Sequence, residues 1–247
     1  QYRGTSLLLD GVFGKNGNPF SVLPGGCWDA LLREEPPFER LDYLLFSHYH
    51  PDHFAPRMVQ ELLEHLEQDY PQGFDGYFVF DADNILAPNY VEAMNRTFSD
   101  GHDIVTSYRN SKNYGDNWIS AGYALWFLRE SRYLNHARFL LGTSCAVSGT
   151  GFLFAHSLLE ELGGWDYFLL TEDLEFTADL VCRGEKIAYC HDAVIYDEQP
   201  SSFAQSIRQR SRWQRGYLQV VAKHGGNMVK TMLCDGSFAC FDMLMCT

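Results

Sequence analysis

Two aspartates, Asp81 and Asp83, follow four apolar residues and are separated by a single alanine. Carboxylates at this spacing can hold Mg²⁺ or Mn²⁺ and leave other positions on the cation for phosphate oxygens and water. Ligand sites of α/β proteins lie at the carboxyl ends of strands, which is where this pair would stand. An aspartate pair after a strand is equally suited to starting a turn, so both interpretations stay open for the pair alone.

A second acidic pair, Glu172 and Asp173, follows Thr171. Thr171 is a good N-cap residue, and acids in a first helical turn favour the helix dipole, so capping alone explains the tripeptide. The functional interpretation makes Asp173 a general base. It would take the proton from a sugar hydroxyl as that oxygen attacks an anomeric carbon.

A third motif combines Gln209, Arg212 and Trp213 in a stretch with helical character. Residues at i, i+3 and i+4 share one side of a helix. That side would offer an amide, a cation for phosphate and a flat apolar surface for a sugar or a base. The alternative is a solvated basic face, because three further arginines lie nearby: Arg208, Arg210 and Arg215.

A dense run of metal-ligand residues lies earlier in the chain and consists of His48, His50, Asp52 and His53. Two histidines one residue apart on extended chain lie on the same side, so both imidazoles can reach one cation, and the next two residues can face a second. Three imidazoles and a carboxylate suit zinc or a similar ion. A polar loop with fortuitous histidines is the alternative.

The elements that would position these residues alternate between strands and helices, which predicts the α/β class. Apolar runs bounded by turn residues predict strands, and apolar residues at helical spacing predict helices. The strands are expected at 7–10, 41–47, 76–80, 104–106 and 186–189, and residues 149–154 are expected to be a glycine turn that enters a strand. The helices are expected at 56–68, 88–98, 118–134, 171–180 and 202–224. The apolar residues 238–246 are expected to be the first turns of a longer hydrophobic helix.

Composition narrows the class of protein. With 247 residues, 46% of them hydrophobic, the chain can bury one large core or two small ones. The formal net charge of −13 argues against nucleic acid as a partner, since such binders present basic surfaces. Seven cysteines without regular spacing predict reduced thiols and a cytosolic environment. The sequence shows no signal peptide and no run of 18 apolar residues.

The order of the three acidic and basic motifs resembles the processive family 2 glycosyltransferases, which include cellulose, chitin and hyaluronan synthases. The resemblance covers residues 69–247, with glycine turns at 149–151 and 163–166. It implies an incomplete GT-A-like nucleotide-diphospho-sugar transferase fold, a mixed sheet with flanking helices. The implied activity is an inverting, metal-dependent hexosyl transfer from a nucleoside-diphosphate sugar, expected to be a UDP-sugar, to a saccharide or lipid-linked acceptor.

The same resemblance implies a role for each motif. Asp83 would coordinate Mg²⁺ or Mn²⁺, and Asp81 would assist at the cation or the nucleotide. Asp173 would be the catalytic base with support from Glu172. The pyrophosphate and the acceptor end would be held by Gln209, Arg212 and Trp213.

The histidine run resembles a different family, the metallo-β-lactamase-fold hydrolases, over residues 1–66. Those enzymes carry a His-x-His-x-Asp-His run after a buried strand, so a partial β/α segment of that fold is implied. They also take further ligands from later strands, and the later histidines of this chain do not stand in a matching context. We therefore expect weak zinc binding at His48, His50, Asp52 and His53, with little hydrolysis.

Together the two resemblances predict two parts, residues 1–68 and 69–247, joined between Leu62 and Gln72 as in a fusion or chimera. The second part would lack the first nucleotide-binding unit of its family. Three hypotheses follow: a glycosyltransferase, a zinc-dependent hydrolase, or a catalytically inactive fusion of two incomplete domains. An arginine-rich helix and an apolar terminus favour a cytoplasmic location at the inner face of a bacterial cell membrane.

Overall fold

The computed structural model describes residues 7–9, 26–33, 35, 43–45, 74–81 and 83–246. The chain forms two compact units, residues 1–83 and residues 84–247. The predicted boundary between residues 68 and 69 falls outside the described residues and stays a prediction. The histidine run at 48–53 and the predicted helix at 56–68 also lie outside them.

Unit 1 contains short elements: strand β1 (Leu7–Leu9), helix α1 (Cys27–Leu32), strand β2 (Tyr43–Leu45) and strand β3 (Gly76–Val79). Strands β1 and β2 pair in parallel, with Leu7 opposite Tyr43. All three strands lie where apolar runs predicted them. Strand β3 ends two residues before Asp81, so this aspartate follows a strand as expected.

The strands of unit 2 are β4 (Ile85–Leu86), β5 (Ile104–Ser111), β6 (Phe152–Ala155) and β7 (Ala188–Asp197). They are hydrogen-bonded in the order β6-β5-β7-β4. The β5–β7 pair is parallel, whereas β5–β6 and β4–β7 are antiparallel. A mixed sheet with flanking helices confirms the predicted α/β class. The strands at β5 and β7 extend well beyond the predicted segments, and β4 was not predicted.

Helices make up most of the rest of unit 2. They are α2 (Tyr90–Ser99), α3 (Trp118–Leu128), a π-helical segment (Arg129–Asn135), α4 (His136–Leu140), α5 (His156–Leu162), α6 (Glu172–Arg183), α7 (Phe203–Cys234) and α8 (Phe238–Cys246). The helices predicted at 88–98, 171–180 and 202–224 are confirmed, and α7 continues ten residues past its predicted end. The helix predicted at 118–134 is α-helical only as far as Leu128 and π-helical beyond it. Among the described residues, the helices are too short or too polar to cross a membrane.

Two of the side-chain clusters in the core of unit 2 involve helix α6. Aromatic rings from β6, α6 and the loop between α5 and α6 pack together, with Phe176 in contact with Phe152, Phe154 and Trp165. Helices α6, α7 and α8 share a second apolar cluster that contains Val181, Val220 and Met243. Helix α6 therefore contributes to both clusters, and its first turn is held against the sheet.

Polar side chains fix the ends of the parallel strands β5 and β7. Asn113 donates to the Gln199 carbonyl and accepts from the Gln199 N–H, both at 2.9 Å. The π-helical segment is bonded to the loop before β6 in the same way. Asn135 donates to the carbonyl of Ala146 and accepts from its N–H, both at 3.0 Å. These reciprocal bonds satisfy backbone groups that would otherwise be buried without partners.

Gly151 is expected to tolerate no side chain, whereas Gly142 offers a matched control. Both adopt positive φ, at 71° and 70°. A Cβ on Gly151 would lie 2.6 Å from Ser107 Oγ and 2.8 Å from Ile195, but one on Gly142 would meet nothing within 4 Å. We expect Gly142→Ala to cost about 1 kcal/mol from backbone strain alone, and Gly151→Ala to cost about 3 kcal/mol because overpacking is added.

Urea unfolding of both variants measures this difference. Equal losses of unfolding free energy for the two variants would contradict the close packing inferred at Gly151.

Candidate functional site

Arg109, near the end of β5, is the cation at the centre of a polar cluster in unit 2. Its Nε donates to Asp197 Oδ2 at 3.0 Å, and its Nη2 makes a shorter bond to the same oxygen. Its Nη1 donates to the Ser148 carbonyl at 2.8 Å. The guanidinium lies 4.0 Å from the centroid of the Phe127 ring, a cation–π contact. Arg109 thereby joins β7, the glycine turn before β6 and helix α3.

Asp197, the last residue of β7, is enclosed by donors. Besides Arg109, Gln199 Nε2 donates to it at 3.0 Å and Asn84 Nδ2 at 3.3 Å. Thr150 in turn donates to Asn84 Oδ1 at 2.5 Å. The Asp197 carboxylate is buried, and these charge-assisted bonds replace its lost hydration.

Asp173 lies in the first turn of α6, beside Gly149. The Asp173 Oδ2 atom is 3.7 Å from the position that a Cβ on Gly149 would take. Burial raises the pKa of Asp173 above its usual range, while backbone N–H donors and the charge of Arg109 act in the opposite direction. Burial also raises the pKa of its neighbour Glu172, although that side chain is partly exposed.

Glu130, on the π-helical segment, is a further carboxylate of this cluster. Burial raises its pKa most, and the nearby charge of Asp173 raises it further. A hydrogen bond with Ser148 and the charge of Arg109 lower it. One arginine is therefore surrounded by several acidic groups, and π-helical turns of this kind recur at functional sites.

The three residues predicted to act together on α7 differ in their surroundings. Trp213 is half-buried and packs edge-to-face against Tyr123 and Phe127 of α3, with ring centroids 5.8 and 6.2 Å apart. Gln209 Oε1 is buried without a hydrogen-bond partner among the described residues. Arg212 is exposed, and its charge lowers the pKa of Glu172. Arg212 thus faces the start of α6, whereas Trp213 fastens α7 to α3.

A buried carboxylate fastens α6 to α7. Glu175 is fully buried; it accepts from Lys223 Nζ at 2.5 Å and from the Leu169 N–H at 3.0 Å. His224 Nε2 lies 3.7 Å away. The bond to Glu175 raises the pKa of Lys223. These contacts hold the predicted base motif and the predicted phosphate-binding helix together.

Thr171 precedes α6 but does not cap it with its side chain, which differs from the sequence expectation. The side chain is turned into the contact with α7, and its Oγ1 is buried with no partner among the described residues. Close approach of the two helices accounts for this orientation. A Cβ on Gly216 of α7 would lie 2.5 Å from both Thr171 Oγ1 and Cγ2.

Of the residues predicted to bind metal, the two aspartates are described by the structure and the histidine run is not. Asp81 is half-buried and Asp83 is exposed, both in unit 1. Their carboxylates are of the type that binds Mg²⁺ or Mn²⁺. The structure provides no test of the metal ligands proposed at His48, His50, Asp52 and His53, because these residues lie outside the described ranges.

Sequence patterns gave no indication of three site residues: Arg109, Glu130 and Asp197. Arg109 and Asp197 are strand-end residues without a recognisable spacing, 88 positions apart. Glu130 lies in a segment whose helical period differs from that of an α-helix. The available signal was a polar residue at the end of each long apolar strand, since these ends are where α/β proteins place ligand sites.

The Gly216 contact generates a test with Gly226 as the matched control. Both residues lie in α7, but a Cβ on Gly226 would meet nothing within 4 Å. Gly216→Ala should lower the free energy of unfolding by about 1–3 kcal/mol because Thr171 must shift. Gly226→Ala should stabilise by up to about 1 kcal/mol through helix propensity. Urea denaturation of both variants measures this, and a stabilising Gly216→Ala would contradict the close helix contact.

Comparisons with known proteins identify relatives with glycosyltransferase names. A probable glycosyltransferase from Sulfolobus acidocaldarius is 27% identical over 164 residues, which is 64% of this chain and 34% of that protein. The probable glycosyltransferase YdaM of Bacillus subtilis is 38% identical over 77 residues, 31% of this chain and 18% of that protein. Poly-beta-1,6-N-acetyl-D-glucosamine synthase of Staphylococcus aureus is 29% identical over 98 residues, 40% of this chain and 24% of that protein.

A solved structure, the mannosyltransferase PcManGT from Pyrobaculum calidifontis in complex with GDP-Man and Mn²⁺, is 15% identical with a TM-score of 0.45. The alignment covers 78% of this chain and 59% of that one. The curated relatives named above are matched over about a third of their length or less.

The model of the family described as "Glycosyltransferase like family 2" matches residues 32–216. The match contains the Asp81, Asp173 and Arg212 motifs, and it also includes the histidine run. Since it covers well over half of the 247 residues, the chain belongs to the glycosyltransferase like family 2.

Proposed function

We propose that this chain transfers a sugar from a nucleoside-diphosphate sugar to a saccharide or lipid-linked acceptor, with inversion at the anomeric carbon. The observation that carries the proposal is the position of Asp173 in the first turn of α6. It lies beside the Gly149 turn, and burial raises its pKa. A base works best when its pKa lies near the working pH, and burial moves an aspartate in that direction.

In the proposed reaction, an acceptor hydroxyl oxygen attacks the anomeric carbon and passes its proton to Asp173. The new C–O bond forms as the bond between this carbon and the diphosphate oxygen breaks, so the nucleoside diphosphate leaves with the electron pair. Arg212 is exposed beside Glu172 and is free to meet the negative charge that builds on the leaving group. Gln209 and Trp213 are proposed to support the same end of the substrate through α7.

Asp81 and Asp83 are proposed to hold Mg²⁺ or Mn²⁺, which would bind the diphosphate oxygens and stabilise the leaving group. We propose a UDP-sugar as the donor, and a cytoplasmic site at the inner face of the membrane. The names of the relatives, which include a polysaccharide synthase, support a hexosyl donor. Processive action remains a prediction from the resemblance.

Replacing Asp173 tests the proposed base. Asp173→Asn should lower the rate of diphosphate release about 10²–10⁴-fold, because the amide cannot accept the proton. The assay supplies a panel of UDP- and GDP-sugars with Mn²⁺, an acceptor mixture and the full chain. Asp100→Asn, at an exposed carboxylate after α2, serves as the control and should retain full activity.

Two outcomes would count against the proposal. One is a wild-type chain that folds yet releases no diphosphate from any donor, which would favour the inactive-fusion hypothesis. The other is an Asp173→Asn variant with the activity of the wild type.

Metal binding separates the transferase hypothesis from the zinc-hydrolase hypothesis. Asp83→Asn should raise the Mn²⁺ concentration needed for half-maximal activity at least about tenfold, whereas Asp75→Asn, an exposed residue of the same unit, should not. A zinc site at the histidine run instead predicts bound zinc that is lost in His48→Ala and His50→Ala. Metal analysis of the purified chain and the Mn²⁺ titration measure the two effects. Zinc-free protein would contradict the hydrolase hypothesis, and Mn²⁺-independent transfer would contradict the role given to Asp83.

A further inference from the structure

Arg109 is attached to unit 2 through both its backbone and its side chain. Ser131 of the π-helical segment accepts from the Arg109 N–H at 3.1 Å and donates to the Arg109 carbonyl at 3.3 Å. The side chain, 12% exposed, is bonded to Asp197 and to the Ser148 carbonyl, and it lies over Phe127. An arginine held at this many points has a fixed guanidinium rather than a mobile surface charge.

The Ser148 bond is the contact that leads to the proposed base. Ser148 precedes Gly149, and Gly149 adopts a φ of 72°. A Cβ on Gly149 would lie 3.3 Å from Arg109 Nη1 and 3.7 Å from Asp173 Oδ2, so this residue fills the space between the cation and the carboxylate. The Gly149 N–H lowers the pKa of Asp173, as a backbone donor close to a carboxylate does. Movement of the Ser148 carbonyl would therefore tilt the peptide plane that presents this donor.

Lysine could supply the charge of Arg109 but not its geometry. The planar guanidinium directs Nε and Nη2 to Asp197 and Nη1 to Ser148 at the same time. An ammonium group is a single point donor and cannot span both partners.

We infer that Arg109 is a positioning residue, which holds the Ser148–Gly149 turn beside the Asp173 carboxylate. The inference rests on the proposed function in so far as Asp173 is the catalytic base. A purely structural Arg109–Asp197 ion pair would stabilise unit 2 without any effect on Gly149 or Asp173. The two roles predict different effects of replacing Arg109 on the Gly149 amide and on the Asp173 carboxyl group.

The charged groups around Asp173 determine what titration should show. Arg109 of β5 lowers its pKa, and Glu130 of the π-helical segment interacts with it as a like charge. Glu172 is its neighbour on α6 and is itself influenced by Arg212 of α7. Arg109 is therefore the cation whose loss should be felt most directly by Asp173.

Two substitutions of Arg109 distinguish the effect of its geometry from the effect of its charge. Both are measured by NMR and require no catalytic turnover. Arg109→Lys keeps the positive charge but loses the planar guanidinium that bonds to both Asp197 and Ser148. Hydrogen exchange at the Gly149 amide should therefore accelerate about tenfold or more, while the pKa of Asp173 stays nearly unchanged. Arg109→Gln loses both, so the pKa of Asp173 should also rise, by about one unit or more. NMR amide exchange and a ¹³C carboxyl titration of Asp173 in the full chain measure these effects. Arg183→Lys and Arg183→Gln are the controls. Arg183 pairs with Asp179 at the far end of α6, the helix that carries Asp173.

Turnover adds a third readout if the proposed function holds. Arg109→Lys should lower kcat with little change in the KM of the donor. Arg109→Gln should shift the acidic limb of the kcat profile to higher pH, because the base must be unprotonated.

The inference is overturned if Gly149 exchange in a folded Arg109→Lys variant stays within twofold of the wild type. It is also overturned if the Arg183 variants change Gly149 exchange as much as the Arg109 variants do. Should Arg109→Gln not fold, Arg109→Lys decides alone, because it retains the charge. A wild-type chain without transferase activity would end the proposed function, whereas the exchange and titration results would still decide the role of Arg109.

Discussion

The Arg109–Asp197 ion pair is the interaction on which the site of unit 2 depends. The two side chains are only 12% and 5% exposed, so both charges have lost most of their hydration. Such a pair is tolerated only when its geometry is good and the remaining donors and acceptors are satisfied. Here Gln199 and Asn84 donate further hydrogen bonds to the Asp197 carboxylate, and the Ser148 carbonyl accepts one from the Arg109 guanidinium. Loss of either charge would leave the other buried without compensation, which is far more costly than loss of an exposed ion pair.

A second constraint operates between the helices that carry the other motifs. Gly216 lets α7 approach Thr171 closely, and Lys223, two turns further along, reaches the buried Glu175. One contact depends on the absence of a side chain and the other on a charge-assisted bond. Two such contacts along one helix fix both its distance from α6 and its rotation. Arg212, which precedes Gly216 by about one turn, consequently faces the start of α6.

The sequence could predict the elements more completely than the site. The apolar run before Asp81 and the helical spacing in α6 and α7 were strong enough to predict their elements. Strand β4 has two residues, and no periodicity can be recognised over so short a length. The π-helical segment was predicted as ordinary helix, because its apolar residues continue those of α3. This segment does not follow the 3.6-residue period of an α-helix, and it carries Glu130 and Ser131, which both lie near Arg109.

Site prediction was limited for a different reason. Motifs such as Gln209, Arg212 and Trp213 are local, so spacing can suggest them, but their environments are not local. Trp213 was expected to offer a flat face to a sugar or base, yet its ring packs against Tyr123 and Phe127, which lie some ninety positions earlier. The contacts of Arg109 likewise span 39 and 88 positions. Pairing over such distances depends on sheet order and helix packing, which residue spacing does not encode.

The electrostatics of Asp173 illustrate why these long-range contacts matter for chemistry. Burial raises its pKa, whereas backbone N–H groups and the charge of Arg109 lower it. A carboxylate subject to burial alone would hold its proton and could not act as a base. One with strong cationic partners alone would remain ionised but would accept a proton poorly. Opposing influences allow an aspartate to be unprotonated in the resting site and still basic enough to accept a proton in the transition state. Because these opposing influences come from β5, the Gly149 turn and α6 itself, the pKa of Asp173 depends on the assembled sheet and helices and not on its own motif alone.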